Sequence, residues 1–127
     1  MSVPQKIGLA FNGDKEARGL LIRDSNKVVQ EAVLSSPKLT DGEVEAICKM
    51  RNLSNEILRI IARNGDWMKE YLIMKALVSN PKTPPGVVLP LVKRLNDFDL
   101  KQTIKDKNVS EVVRREAKKV FEVRHTP

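Results

Sequence analysis

Aromatic residues are scarce in this chain: three Phe, one Trp and one Tyr in 127 residues. The core must therefore be aliphatic, built from Leu, Ile, Val and Ala, and an exposed aromatic platform for stacking nucleic-acid bases is missing. Cysteine occurs once, at Cys48, so no internal disulfide can form and a reducing, cytoplasmic setting is expected. Histidine also occurs once, at His125. No ligand pair stands at zinc spacing, and no metal and no cofactor are expected. No apolar run reaches the roughly 18 residues of a spanning helix, and Met1 to Lys6 lacks the apolar stretch of a secretory signal. No segment alternates apolar and polar as a strand would. Gly13, Gly42, Gly65 and Gly86 are isolated, so no phosphate cradle is present.

What is present first is a segment that occurs twice. Ser35-Ser36-Pro37-Lys38-Leu39-Thr40-Asp41-Gly42-Glu43-Val44 returns 44 residues later as Ser79-Asn80-Pro81-Lys82-Thr83-Pro84-Pro85-Gly86-Val87-Val88, with Ser, Pro, Lys, Gly and Val in register. Around it, helix signals follow one another closely. Ser2 with Gln5 and Thr40 with Glu43 read as capping boxes, and Pro4 suits the first turn of a helix reaching Phe11. Asp14 caps a helix over 15–23, and Ser25 caps one with Val28, Val29, Ala32 and Val33 inward. The Thr40 helix turns Val44, Ile47 and Cys48 inward. Ser54 opens a helix with Ile57, Leu58, Ile61 and Ala62 on one face. Trp67 to Val78 reads as one continuous helix, apolar nearly all round and hence central, with Leu72 inward. Pro84 and Pro85 begin the next, and Pro90 should kink it. Asn96 or Asp97, and then Ser110, cap the last two, the final one burying Val113, Ala117, Val120 and Phe121.

These nine helices group in threes, opening at Ser2, Thr40 and Pro84; Ser25 to Ala32 and Ser110 to Ala117 also share Ser, Val, Glu and Ala in register. The triplet Asn12-Gly13-Asp14 recurs as Asn64-Gly65-Asp66, but before a second helix in one case and a third in the other, so a two-helix grouping stays open. A repeat of this length in a helical chain resembles the HEAT and armadillo classes. The resemblance covers essentially the whole chain and rests on loop punctuation and apolar spacing. It implies an all-α, right-handed α-solenoid, one domain over 1–127 with units near 2–37, 40–80 and 84–123. It also implies a non-enzymatic protein- or peptide-binding scaffold, expected to be monomeric.

On that reading the third helices line the binding face. Lys27, Glu31, Lys69, Lys75, Arg114 and Lys118 are its candidates; Trp67 beside Tyr71 would be an aromatic anchor there, although helical spacing in so apolar a helix favours packing in the core. The alternative is nucleic acid, since HEAT-like helices also build some DNA glycosylases. The net charge is +7, and residues 93–127 hold ten basic against six acidic side chains. Lys101, Lys105, Lys107, Arg114, Arg115, Lys118 and Lys119 would form that face. Glu111, Glu116 and Glu122 interrupt it, and the solvated-face reading is preferred. Catalysis has no residue set behind it: Cys48 falls on an inward face, and Asp14, Asp24, Asp41, Glu43, Asp66, Asp97 and Asp99 sit at helix starts, where capping explains them.

Overall fold

The computed structural model describes all 127 residues. It contains ten α-helices and no strand: α1 Val3–Asn12, α2 Lys15–Leu21, α3 Lys27–Leu34, α4 Asp41–Cys48, α5 Asn55–Arg63, α6 Gly65–Met68, α7 Tyr71–Ser79, α8 Pro85–Val92, α9 Asp97–Lys105 and α10 Glu111–His125. Both capping boxes form. At α1 the Gln5 N–H donates to Ser2 Oγ (3.2 Å) while the Ser2 N–H donates to Gln5 Oε1 (2.9 Å). At α4 the Glu43 N–H donates to Thr40 Oγ1 (3.2 Å) and the Thr40 N–H to Glu43 Oε2 (2.8 Å). Each box satisfies two backbone donors that a helix start otherwise leaves unpaired. Asp14, Asn96 and Ser110 cap α2, α9 and α10 singly, each side chain accepting the N–H three residues on.

Three expectations are corrected. The cap of α3 is Asn26, whose side chain accepts from the N–H of Val28 (2.8 Å) and Val29 (3.3 Å), and not Ser25. Asp24 sets this up by accepting the Asn26 N–H at 2.8 Å. Val28, expected inward, lies 54% exposed, whereas Val29 is fully buried. Second, the helix expected over Trp67 to Val78 is two helices, broken at Lys69 and Glu70. Asn64 starts α6 at once by accepting the Trp67 N–H (3.0 Å), and the Arg94 guanidinium takes the carbonyl of Met68 at the other end. One turn is thus capped at both ends and held apart from α7. Third, Leu72 is 58% exposed, because α7 restarts at Tyr71 and directs Ile73, Met74, Ala76, Leu77 and Val78 inward instead.

The core runs through the whole molecule as one cluster of 27 buried apolar residues, none of them aromatic. Ile22, Ile57, Leu58, Ile61, Ile73, Met74, Leu77, Leu95 and Leu100 are its largest fully buried members. Phe11, Trp67, Tyr71 and Phe121 pack against its rim. Helix α1 packs on α3, α4 on α7, and α10 on both α8 and α9, while α2–α4, α3–α5 and α7–α8 contacts join these groups. The twice-occurring segment adopts the same turn both times. Ser36 and Asn80 are both buried, and each accepts the backbone N–H two residues on, from Lys38 (3.4 Å) and Lys82 (2.9 Å). Asn80 does more: its Nδ2 donates to the carbonyls of Cys48 (2.7 Å) and Met50 (2.8 Å), tying the end of α7 to the end of α4.

Candidate partner-binding grooves

Depressions open between neighbouring helices on two sides of the molecule. On the first side they follow one another between α2 and α4, α4 and α7, and α7 and α9. The first, about 190 Å³, is lined by the apolar atoms of Leu39, Ala46, Ile47 and Met50 and closed by Arg18 and Glu43. These two form a bidentate pair, Nε to Oε1 at 2.8 Å and Nη2 to Oε2 at 3.2 Å, with both side chains only 7% exposed. Arg18 Nη1 also donates to the Gly13 carbonyl (2.7 Å), so each partner is held by further hydrogen bonds. Burial acts to raise the Glu43 pKa, but Arg18 together with the Thr40 N–H and hydroxyl outweighs it and holds the carboxyl below the ordinary range.

Further along this side, depressions of about 160 Å³ and about 540 Å³ share Lys75 and Ser79. Most of their charges are answered from within, Lys105 being the exception. Lys49 pairs with Glu45 at 2.8 Å and Lys75 with Asp99 at 3.1 Å. Arg51 reaches the Ser79 carbonyl at 3.5 Å. Asp99 is buried at the start of α9 and also receives the Tyr71 hydroxyl at 2.6 Å, which in turn accepts the Asn96 N–H at 3.0 Å. Burial and the hydrogen bond to Asp99 push the Tyr71 pKa up. Asp99 therefore joins α7 to α9, a role that placement at a helix start does not reveal.

The second side runs from α3 across α5 to α8. One depression of about 400 Å³ is lined by Glu31, Leu34, Ile60, Arg63 and Trp67, among others. The next, about 370 Å³, is lined by Arg59, Ala62, Arg63, Val87, Pro90 and Leu91, and Arg63 belongs to both. The Arg59 side chain makes no hydrogen bond or ion pair, and the only carboxylate within 4 Å of the Arg63 guanidinium is that of Glu56, at 3.8 Å. Neither arginine stands out in the sequence. The signal that marks them is their four-residue spacing on the polar side of a helix whose other side is Ile57, Leu58 and Ile61.

Only some of the residues marked in the sequence share a depression. Glu31 and Trp67 share the α3–α5 depression, and Lys75 and Lys105 share the one between α7 and α9. Lys27, Lys69 and Lys118 are exposed and line neither. Arg114 is occupied inside the fold, donating to the carbonyls of Asp106 (3.3 Å) and Val109 (2.5 Å) and so fastening the end of α9 to the start of α10. Lys101 lies over the Phe121 ring, 5.5 Å from its centroid. Lys107, Arg115, Lys118 and Lys119 are exposed and form no ion pair. At Cys48, burial lifts the thiol pKa to about 12, with Glu45 adding to it, which removes the thiolate a nucleophile needs. No three His, Cys, Asp or Glu side chains come together as a metal site. No helix is long and apolar enough to cross a membrane. A comparison of the chain with known protein families, curated proteins and solved structures finds no match.

Proposed function

We propose that this protein is a helical-repeat module of the HEAT and armadillo kind, a monomeric, non-enzymatic scaffold that binds a polypeptide segment of a partner. Its three units would be α1–α3, α4–α7 and α8–α10, near residues 2–37, 40–80 and 84–123. Equivalent positions support this grouping. The eighth residue after the cap of each first helix is Ala10, Cys48 or Val92, all fully buried. The third and seventh residues after the cap of each last helix are Val29 and Val33, Ile73 and Leu77, and Val113 and Ala117, again all buried. This register pairs Asn26 with Ser110, one residue away from the match of Ser25 with Ser110. The turn α6 is then an insertion in the second unit, which explains why Asn64-Gly65-Asp66 stands in a different place from Asn12-Gly13-Asp14. A reducing, cytoplasmic location suits the single buried Cys48.

The observation that carries the binding reading is the groove between α3, α5 and α8, where apolar walls, Trp67, the unpaired Arg59 and the loosely paired Arg63 meet. Interfaces of this kind concentrate binding energy in Trp and Arg surrounded by apolar contacts. Selection from a random peptide display library on the immobilised chain tests it. Peptides should be recovered whose binding falls on Trp67→Ala or Arg63→Glu; a library that yields none overturns the reading. The second reading, nucleic-acid binding by the C-terminal helices, draws on the unpaired Lys107, Arg115, Lys118 and Lys119. Fluorescence anisotropy with DNA and RNA at two salt concentrations separates the two. Binding that collapses at physiological salt marks a solvated basic face, and tight binding that survives it and is lost in Arg115→Glu/Lys118→Glu establishes a nucleic-acid site.

A further inference from the structure

We infer that the segment bound in the α3–α5–α8 groove is acidic and aliphatic: a peptide whose Asp or Glu carboxylates meet Arg59 and Arg63 while its Leu, Ile or Val side chains enter between α5 and α8. The inference rests on the peptide-binding reading and adds the chemistry of the partner. The α5–α8 half of the groove has two guanidinium groups, the apolar side chains of Ala62, Val87, Pro90 and Leu91, and no carboxylate at all. Little inside the chain answers these cations: the Arg59 side chain forms no ion pair, and Arg63 meets Glu56 at the long distance of 3.8 Å, with the arginine side chain 68% exposed. Arginines four residues apart on a helix lie one above the other, so both forks face one strip of surface. Such forks match carboxylates bidentately, and beside apolar walls that bond is better shielded from water than on an open surface.

The other side of the molecule shows that this is not simply the rule for a basic protein. There both lining arginines are committed, Arg18 to Glu43 and Arg51 to the Ser79 carbonyl, and Lys49 and Lys75 hold carboxylates of the chain itself, while Lys15 and Lys105 hold none. Glu31 is the one acidic residue lining the α3–α5 half, next to Trp67. It places the partner's acidic end toward α8 and its apolar end toward Trp67. Phosphate would also satisfy the arginines, but a nucleic-acid strand needs faces on which to stack. Trp67 is half-buried, and Val87, Pro90 and Leu91 offer aliphatic surface instead.

Trp67 is the only tryptophan of the chain, so its emission reports from the groove. The experiment titrates the full chain with a short Trp-free synthetic peptide carrying Leu and Val at helical spacing with Glu between them, followed by Trp67 fluorescence and by calorimetry. Saturable binding is expected, weakened about tenfold or more by Arg59→Glu and by Arg63→Glu, and less by Arg63→Lys, which keeps the charge and loses the fork. A peptide with Lys in place of Glu should not bind. Both arginines are exposed, and circular dichroism of each variant checks that folding is intact. Calorimetric binding that leaves Trp67 unchanged still supports the inference if the arginine variants lose it. Equal binding of the Lys peptide, insensitivity to both arginines, or tighter binding of a single-stranded oligonucleotide in this groove overturns it. If display-selected peptides bind at Trp67 but acidic ones do not, the partner chemistry is wrong and the peptide-binding reading stands. If no selected peptide of any charge binds, both fall.

Discussion

The two sides of this molecule use their charges in opposite ways. Along α2, α4, α7 and α9, most of the cations lining the depressions are paired within the chain, although Lys15 and Lys105 form no ion pair. Arg18 grips Glu43, Lys49 grips Glu45, Lys75 grips Asp99, and Arg51 reaches a backbone carbonyl. Along α3, α5 and α8, Arg59 and Arg63 are left without close partners beside apolar walls. Net charge alone does not distinguish these sides. A cation already paired inside the fold offers a partner little, because a new contact must first displace the old one; an unpaired one loses only its water. On the proposed reading, the depressions on the first side are chiefly joints, and the groove on the second side is where a partner would bind.

If that contrast holds, substitutions on the first side cost stability and those on the second cost binding. The largest effect should come from Glu43→Ala, which leaves the Arg18 guanidinium buried and unanswered. Urea unfolding should show a loss of about 3–5 kcal/mol, and a loss no larger than a surface substitution would dissolve the contrast. The same pair sets the response to acid. The folded pKa of Glu43 lies below its unfolded value, so its contribution is complete at neutral pH. That contribution is lost as pH falls below the ordinary glutamate value of about 4.3 and through the lower folded pKa. Melting temperature should therefore drop across that acid window in the wild type, and the drop should be shallower in Glu43→Gln.

Tyr71→Phe probes the second joint. It removes the hydroxyl that links Asp99 to the Asn96 N–H but leaves Lys75 on the Asp99 carboxylate. About 1–2 kcal/mol should be lost, and a silent substitution would mean that Lys75 alone holds α9 to α7. The smallest effects belong to exposed positions. Arg63→Ala and Leu72→Ala should each change unfolding stability by no more than about 0.5 kcal/mol. Ile61→Ala, in the fully buried interior of the same region, should cost about 2–5 kcal/mol. A large cost at Arg63 would show that its distant carboxylate matters to folding and would move it to the structural side of the comparison.

Much of the helical framework is determined locally and is legible in the chain itself. Ser2 with Gln5, Thr40 with Glu43, Asp14, Asn96 and Ser110 cap helices because each side chain reaches a backbone N–H within three residues. The aliphatic core follows from the scarcity of aromatics and from apolar spacing, so Val44, Ile47, Cys48, Ile57, Leu58 and Ile61 are buried as their period requires. Where two local signals compete, the reading slips: Ser25 and Asn26 can both cap a helix, and the adjacent Val28 and Val29 cannot both be told from sequence to be inward, since only Val29 is buried. What tertiary structure alone decided is which charges are spent. Arg18 finds Glu43 across 25 residues and Tyr71 finds Asp99 across 28, so neither pairing is written in any local pattern. The break at Lys69 and Glu70 depends likewise on Arg94, from beyond α8, taking the Met68 carbonyl. Caps and helical faces are settled within a turn of the chain. Whether Arg59 and Arg63 stay free depends on every carboxylate that packing brings near them or holds elsewhere.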